Sequence, residues 1–256
     1  MPTTPTHLKK PSRKISLSLK IAFASLLTLA MATPVYAGVF SVAPVRIYMT
    51  PKDRAVAVTI TNGSDEDLVM QADIYVWKQK PGGEDDLVLS EDMLLAPPII
   101  KLAKKSRQVV RLARLHPVKS DQQLTYRMIV REIPEAQPVN DQVQLQVALA
   151  FSMPVFITPP GAKSKLTCGV ERTAANSVHA VCENSGNAYA QPLNFKLTNS
   201  TGKTLASRDT GGYILPGISR NFNIISADQR IPGGKATLTV KLDDGTERGF
   251  DVLLAE

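Results

Sequence analysis

Histidine, cysteine and tryptophan are nearly missing from this chain: three, two and one in 256 residues. His7 lies near the N-terminus, and His116 and His179 fall in different predicted domains. A histidine-based proton shuttle or metal centre therefore has no second member nearby. No GxSxG elbow, HExxH pair or glycine-rich phosphate loop occurs. The acidic clusters at 65–67 and 84–86 sit among turn residues and read as solvated loops. No enzyme is expected, and no cofactor or metal ion. Aromatic residues make up 5% of the chain and Trp77 is the single tryptophan, so the aromatic platforms of a sugar-binding module are missing. No segment shows a convincing helical period. Beyond the first 37 residues no apolar run reaches the ~20 residues that a bilayer span needs.

What is present begins with a leader. "HLKKPSRK" is basic and "ISLSLKIAFASLLTLAMA" is apolar apart from small polar residues and Lys20, and "PVYAG" offers a small-residue cleavage site after Ala37. This is the anatomy of a secretory signal peptide, with an uncleaved membrane anchor as the alternative. The leader also carries much of the charge. Removing Lys9, Lys10, Arg13, Lys14 and Lys20, which no acid accompanies, lowers the net charge from +7 to +2. No nucleic-acid partner is expected, because "KKSR" at 104–107 is a short basic turn rather than a patch.

Nearly every apolar segment after the leader alternates with polar residues, which is the period of a half-buried strand. "RAVAVTITNGS", "LVMQADIYVWKQ" and "LTYRMIVREIP" are examples. Short strands with a turn every ten or so residues predict an all-β chain of two immunoglobulin-like β-sandwich domains. The first is expected over 38–159, ending at the breaker "FITPPGAK", and the second over 160–256, with residues 1–37 as the signal peptide. Asp244-Gly245 between two alternating runs marks a hairpin. Cys168 and Cys182 lie in adjacent strand-like runs of an exported chain. A disulfide across a hairpin is the natural pairing, and two free thiols are the alternative.

One stretch leaves its purpose open. In "QVQLQVALAFSMPVF", Val143, Leu145, Val147, Leu149 and Phe151 share one face, with the small Ala148 and Ala150 on the reverse. The apolar face serves either the protein's own core or another molecule. "PVRIYMTPKDRAVAVTITN", "APPIIKLAKKSRQVVRL", "YRMIVREIP" and a strand ending "PVFITPP" follow one another in this order. Together they resemble the PapD-like periplasmic chaperones of the chaperone–usher pilus pathway. The "YR…EIP…SMPVFITP" pattern is similar to the divergent, so-called archaic branch.

The resemblance implies an L-shaped pair of domains, and pilus or fimbrial subunits and an outer-membrane usher as partners. Such chaperones lend a strand to a subunit whose fold lacks one. That strand maps to Val143, Leu145, Val147, Leu149 and Phe151. It also implies a basic pair that anchors the subunit's C-terminal carboxylate. The first member maps to Arg46, whereas the expected lysine maps to Pro154. Arg127 is the substitute, ahead of Lys101 and Arg111. The charged residues that join the domains in the family read Thr158 and Gln123, so that joint is missing or rebuilt. Arg131 and Glu132 are read as structural, and a cis bond is implied before Pro97. A sticky strand leaves self-association of the free protein open, and no small-molecule substrate is implied. The other function considered is an exported structural pilus or coat subunit, which polymerisation of the purified protein would reveal.

Overall fold

The computed structural model describes residues 40–117, 119–134, 147–226 and 230–256. The leader with its cleavage site, and Val143 and Leu145, lie outside the described residues. Among the described residues every regular element is a strand. Residues from Phe40 onward form one compact unit that contains two separate large cores, each inside an immunoglobulin-like sandwich.

Ten strands build the first sandwich: β1 (Phe40–Ala43), β2 (Ile47–Met49), β3 (Ala55–Asn62), β4 (Leu68–Gln79), β5 (Asp85–Leu89), β6 (Met93–Ala96), β7 (Ile99–Leu102), β8 (Arg107–Arg114), β9 (Leu124–Glu132) and β10 (Ala150–Ile157). One sheet has the order β1-β3-β8-β6. The other has the order β2-β10-β9-β4-β5, with β7 also on β4. The first strand of the fold is thus split. β1 pairs with β3 in one sheet, and β2 pairs in parallel with the end of β10 in the other. The chain changes sheet between them, where Ala43–Pro44 is cis. Alternation places Val58, Ile60, Val110 and Leu112 of one sheet against Met70, Ile74, Met128 and Val130 of the other, all in one core.

Seven strands build the second sandwich: β11 (Leu166–Ala174), β12 (Ser177–Asn184), β13 (Pro192–Asn199), β14 (Thr204–Arg208), β15 (Ser219–Ile225), β16 (Gly234–Leu242) and β17 (Glu247–Leu254). Their order is β11-β12-β15-β14-β13-β16-β17. The only pairing between β15 and β14 is Ser207 opposite Ile225. The ladder is therefore two layers that close over a shared core, in which the rings of Phe195 and Phe222 lie 4.6 Å apart. Cys168 and Cys182 face each other on β11 and β12 and form the expected disulfide. Asp244-Gly245 turns β16 into β17, with Gly245 at a φ of 84° that suits a residue without a Cβ.

Candidate functional site

β10 is the element on which the two sandwiches meet. Its odd-numbered residues face the first core: Met153, Val155 and Ile157 are buried there. The same row runs on past the end of that core. Phe151 packs edge-on against Phe40 with ring centres 4.8 Å apart, yet remains 39% exposed. Leu149 is also 39% exposed and Val147 is 68% exposed. One apolar row is thus buried at one end and bare at the other. The paired strand is shorter than the sequence suggests, because regular pairing starts only at Ala150. The cause is the partner: β9 ends at Glu132, whose amide donates to the Leu149 carbonyl at 2.9 Å, and nothing described continues the ladder.

That hydrogen bond also fixes which way the backbone groups of β10 point. Residues 149, 151 and 153 exchange bonds with β9, so the polar groups of Ala150, Ser152 and Pro154 face the opposite edge. β2 covers this edge only from Val155 to Ile157. The Thr158 amide continues the alternation by donating to Met49. Pro154 sits where its missing N–H faces away from β9, the one orientation in which proline leaves that ladder intact. The outer edge of Ala150–Ser152 has no strand partner among the described residues.

The even-numbered face of β10 is buried by different neighbours. Phe156 is fully buried, stacked on Tyr189 at 4.2 Å and within 6.1 Å of Tyr48, Trp77 and Tyr213. With Leu215 it makes a third small core shared by both sandwiches. Five of the chain's fourteen aromatic residues meet here, although aromatics are scarce overall. Two features of the burial pattern mark the place. The burial of β4 changes face at Val76-Trp77, and Met153 to Ile157 is an unbroken buried run. The first is a strand whose buried face passes from one core to the next, and the second is a strand covered on two sides.

Arg46 and Arg127 flank this cluster. Each guanidinium carbon is 5.5 Å from the Tyr213 ring centre, so the two are at most 11 Å apart. Their surroundings differ. Arg46 donates to Asp243 Oδ2 at 2.7 Å, Gln191 Oε1 at 2.7 Å, Tyr48 Oη at 3.0 Å and Tyr189 Oη at 3.3 Å. Tyr189 gives its own proton to Asp243 at 3.0 Å, so Tyr48 donates to Tyr189 across their 2.8 Å contact. Burial raises the Tyr189 pKa, and the hydrogen bond with Tyr48 and the nearby Asp243 charge push it the same way.

The Arg127 guanidinium carbon lies over the Trp77 ring, 3.8 Å from its centre. Its side chain is mostly buried, and among the described residues its one ionic contact is Asp85 at 3.6 Å. Burial holds its pKa below the usual arginine value, partly offset by Asp85. Asp85 is not the free loop acid that its sequence neighbourhood suggests. It opens β5 and accepts from Trp77 Nε1 at 2.8 Å and Gln79 Nε2 at 3.1 Å. Lys101 and Arg111 are exposed on β7 and β8 and make no hydrogen bond or ion pair with these groups.

Neutral amides make most of the remaining joint. Gln123, 4% exposed, donates to Thr158 Oγ1 at 2.7 Å and accepts from the Tyr189 amide at 2.9 Å. Gln79 donates to the Tyr213 carbonyl at 3.1 Å and accepts from the Leu215 amide at 2.9 Å. Both satisfy backbone groups of the second sandwich without burying a charge. Arg131 pairs with Asp73 at 3.1 Å and donates to Tyr75 Oη at 3.1 Å, a role in holding β9 to β4. Ala96–Pro97 is cis, as the resemblance implied.

Residues 39–163 match the family model described as "Pili and flagellar-assembly chaperone, PapD N-terminal domain". Comparison with curated proteins finds no match. Among solved structures, the chain is similar to one from the CsuC–CsuE chaperone–tip adhesion subunit pre-assembly complex of archaic Csu pili of Acinetobacter baumannii. Identity is 18% and the TM-score 0.60, over 84% of this chain and 98% of that one. The Escherichia coli chaperone DraB gives 21% and 0.54, over 85% and 97%. A chain of the Salmonella enterica SafA pilin–SafB chaperone complex gives 15% and 0.56, over 86% and 99%. At these identities the likeness is one of fold.

Proposed function

Because the chain belongs, through residues 39–163, to the PapD-like family of non-enzymatic pilus-assembly chaperones, we propose that it is a periplasmic chaperone that caps pilus or fimbrial subunits with the strand leading into β10. It then delivers them to an outer-membrane usher. The observation that carries this reading is the divided apolar row. Met153, Val155 and Ile157 belong to the protein's own core, while Phe151, Leu149 and Val147 continue the row into solvent. Val143 and Leu145 extend it by sequence parity. Each Leu, Val or Phe side chain that enters a subunit's groove contributes ~1.5–3 kcal/mol. The outer edge of Ala150–Ser152, unpaired among the described residues, adds main-chain hydrogen bonds to an incoming strand, the mode of β-strand addition. A bare strand edge beside exposed apolar residues is otherwise an aggregation hazard, which supports its having an occupant.

Arg127 and Arg46 complete the site as anchors for the subunit's terminal carboxylate. Arg127 is the more buried of the two but the less fully paired, because among the described residues its one ion contact is long and its guanidinium rests on an aromatic face. A carboxylate placed there meets a desolvated cation, the situation in which a charge-assisted hydrogen bond is strongest. Pro154 in place of a lysine supports placing the chain in the archaic branch.

The test is co-expression of the full chain with pilus subunits, followed by co-purification. Leu149→Asp and Phe151→Asp, both on partly exposed positions, should leave the thermal midpoint of the chaperone within a few degrees. Recovered subunit should fall at least about tenfold, the equivalent of ~1.4 kcal/mol of binding. Subunit recovery that matches the wild-type chain would rule out strand lending.

A further inference from the structure

We infer that Asp243 belongs to the subunit-binding site: in the free chaperone its carboxylate fills the place at Arg46 that a subunit's terminal carboxylate takes, and binding exchanges one for the other. This rests on Arg46 being an anchor.

The two arginines of the cleft are unequally served. Arg46 has four hydrogen-bond partners, three of them (Tyr189, Gln191 and Asp243) on the second sandwich. Arg127 stacks on Trp77 at 3.8 Å, and among the described residues its one ionic contact is Asp85 at 3.6 Å. An anion entering the space around Tyr213 therefore finds Arg127 held only by the long Asp85 contact, and Arg46 already occupied by a carboxylate at 2.7 Å. A second anion on that guanidinium meets like-charge repulsion from Asp243, which favours its displacing Asp243 over joining it.

Asp243 is placed to let go. Arg46 and Asp243 are 29% and 19% exposed, so water reaches the pair, and the Tyr189 hydroxyl that also donates to Asp243 at 3.0 Å is free to donate to an incoming carboxylate instead. The hairpin does not depend on it either. Asp244, not Asp243, accepts the Thr246 amide at 2.9 Å and the Thr246 hydroxyl at 2.7 Å. The Gly245 amide closes the turn on Leu242. Two adjacent aspartates thus have separate tasks. Asp244 shapes the turn, and Asp243 reaches across to the first sandwich.

The test uses the full chain and Asp243→Asn, which keeps shape and hydrogen-bonding capacity but removes the charge. The probe is an acetylated valine–alanine tetrapeptide with a free C-terminal carboxylate, against the same peptide as its amide. The side-chain Nε–Hε NMR signals of Arg46 and Arg127 are followed. In the wild-type chain the carboxylate peptide should shift Arg127 first. In Asp243→Asn, Arg46 should respond at about five-fold lower peptide concentration, the scale of a partly exposed ion pair. Adding Arg46→Gln should erase the gain. Unchanged or weaker binding in Asp243→Asn, with Arg46 still sensing the peptide, would overturn the inference and leave the anchor standing. If neither arginine separates carboxylate from amide in either protein, the anchor fails and the inference with it. The Leu149 and Phe151 recovery experiment is independent of that outcome.

Discussion

Val155 and Phe156 are neighbours on β10 that face opposite ways, and this makes them a sharp test of how the two sandwiches are joined. Val155 is fully buried in the first core. Phe156 is fully buried in the shared aromatic cluster, touching Tyr48 and Trp77 on one side and Tyr189, Tyr213 and Leu215 on the other. Truncating a buried Phe to Ala costs about 3–5 kcal/mol, including the stacked pair with Tyr189, itself worth ~0.5–1.5 kcal/mol. In Phe156→Ala that loss falls on the joint. In Val155→Ala a loss of about 2 kcal/mol falls on the first core alone. Calorimetry with denaturant titration separates the cases. Trp77, 1% exposed and part of the cluster, reports the joint by fluorescence. Phe156→Ala should resolve two unfolding transitions and red-shift Trp77 before either sandwich melts. Val155→Ala should lower the first-sandwich transition and leave native Trp77 emission unchanged. A loss below about 1 kcal/mol in Phe156→Ala, or the same pattern in both variants, would refute the assignment of opposite faces to separate cores.

Tyr126, Tyr189 and Tyr213 are all held above the ordinary tyrosine value of 10.0, in each case chiefly by burial of the phenol. A raised folded-state value stabilises the fold fully below the unfolded value of about 10 and loses that contribution as pH rises through the folded values. Absorbance titration should therefore show fewer ionised tyrosines in the native than in the urea-unfolded chain just above about pH 10, and coincident curves would contradict this. Cys168→Ala with Cys182→Ala opens a loop of sequence separation 14. The second sandwich should lose about 3 kcal/mol in the chain-entropy account, measured by denaturant midpoint. A first-sandwich transition that moves as far would argue against the two cores being separate. Gln123→Leu strands the Tyr189 amide and Thr158 hydroxyl that the amide side chain satisfies. About 1–3 kcal/mol should be lost, and a midpoint equal to wild type would show that the amide bridge contributes nothing.

The strands were legible because period-2 alternation is a local signal. "AVAVTITN" reads as β3 without any knowledge of its partners. The Cys168–Cys182 pairing was legible for the same reason, since two adjacent strands bring the thiols together. The exposed end of the β10 row is different. Alternation marks Leu149 and Val155 as the same face, but not that one is bare and the other buried. Only the end of β9 at Glu132 decides that. The joint was the least visible part. Asp243 lies 197 positions from Arg46 and Tyr189 lies 143 from it, and no pattern in a single sequence links residues that far apart. Asp85 was misread as a loop acid because its three neutral and cationic partners, Trp77, Gln79 and Arg127, come from other strands. Thr158 and Gln123 showed in the sequence that the family's charged joint was missing or rebuilt, and Arg46–Asp243 supplies an ion pair between the sandwiches from other positions. The sequence could not show that the amide of Gln123 bridges the same two positions' surroundings instead.

Pro154 has one more consequence. Any strand laid along the outer edge of β10 finds donors and acceptors at Ala150 and Ser152, then a carbonyl without an amide at Pro154, and after it β2 already in place from Val155. Pairing therefore has a fixed end-stop. A guest strand cannot slide toward the second sandwich, so its register is counted from that stop outward, as lengths are measured from the zero of a ruler. Pro154 lies directly opposite Arg127 on β9. The zero of the register and the Arg127 cation are thus set at the same level of the sheet by two residues on neighbouring strands.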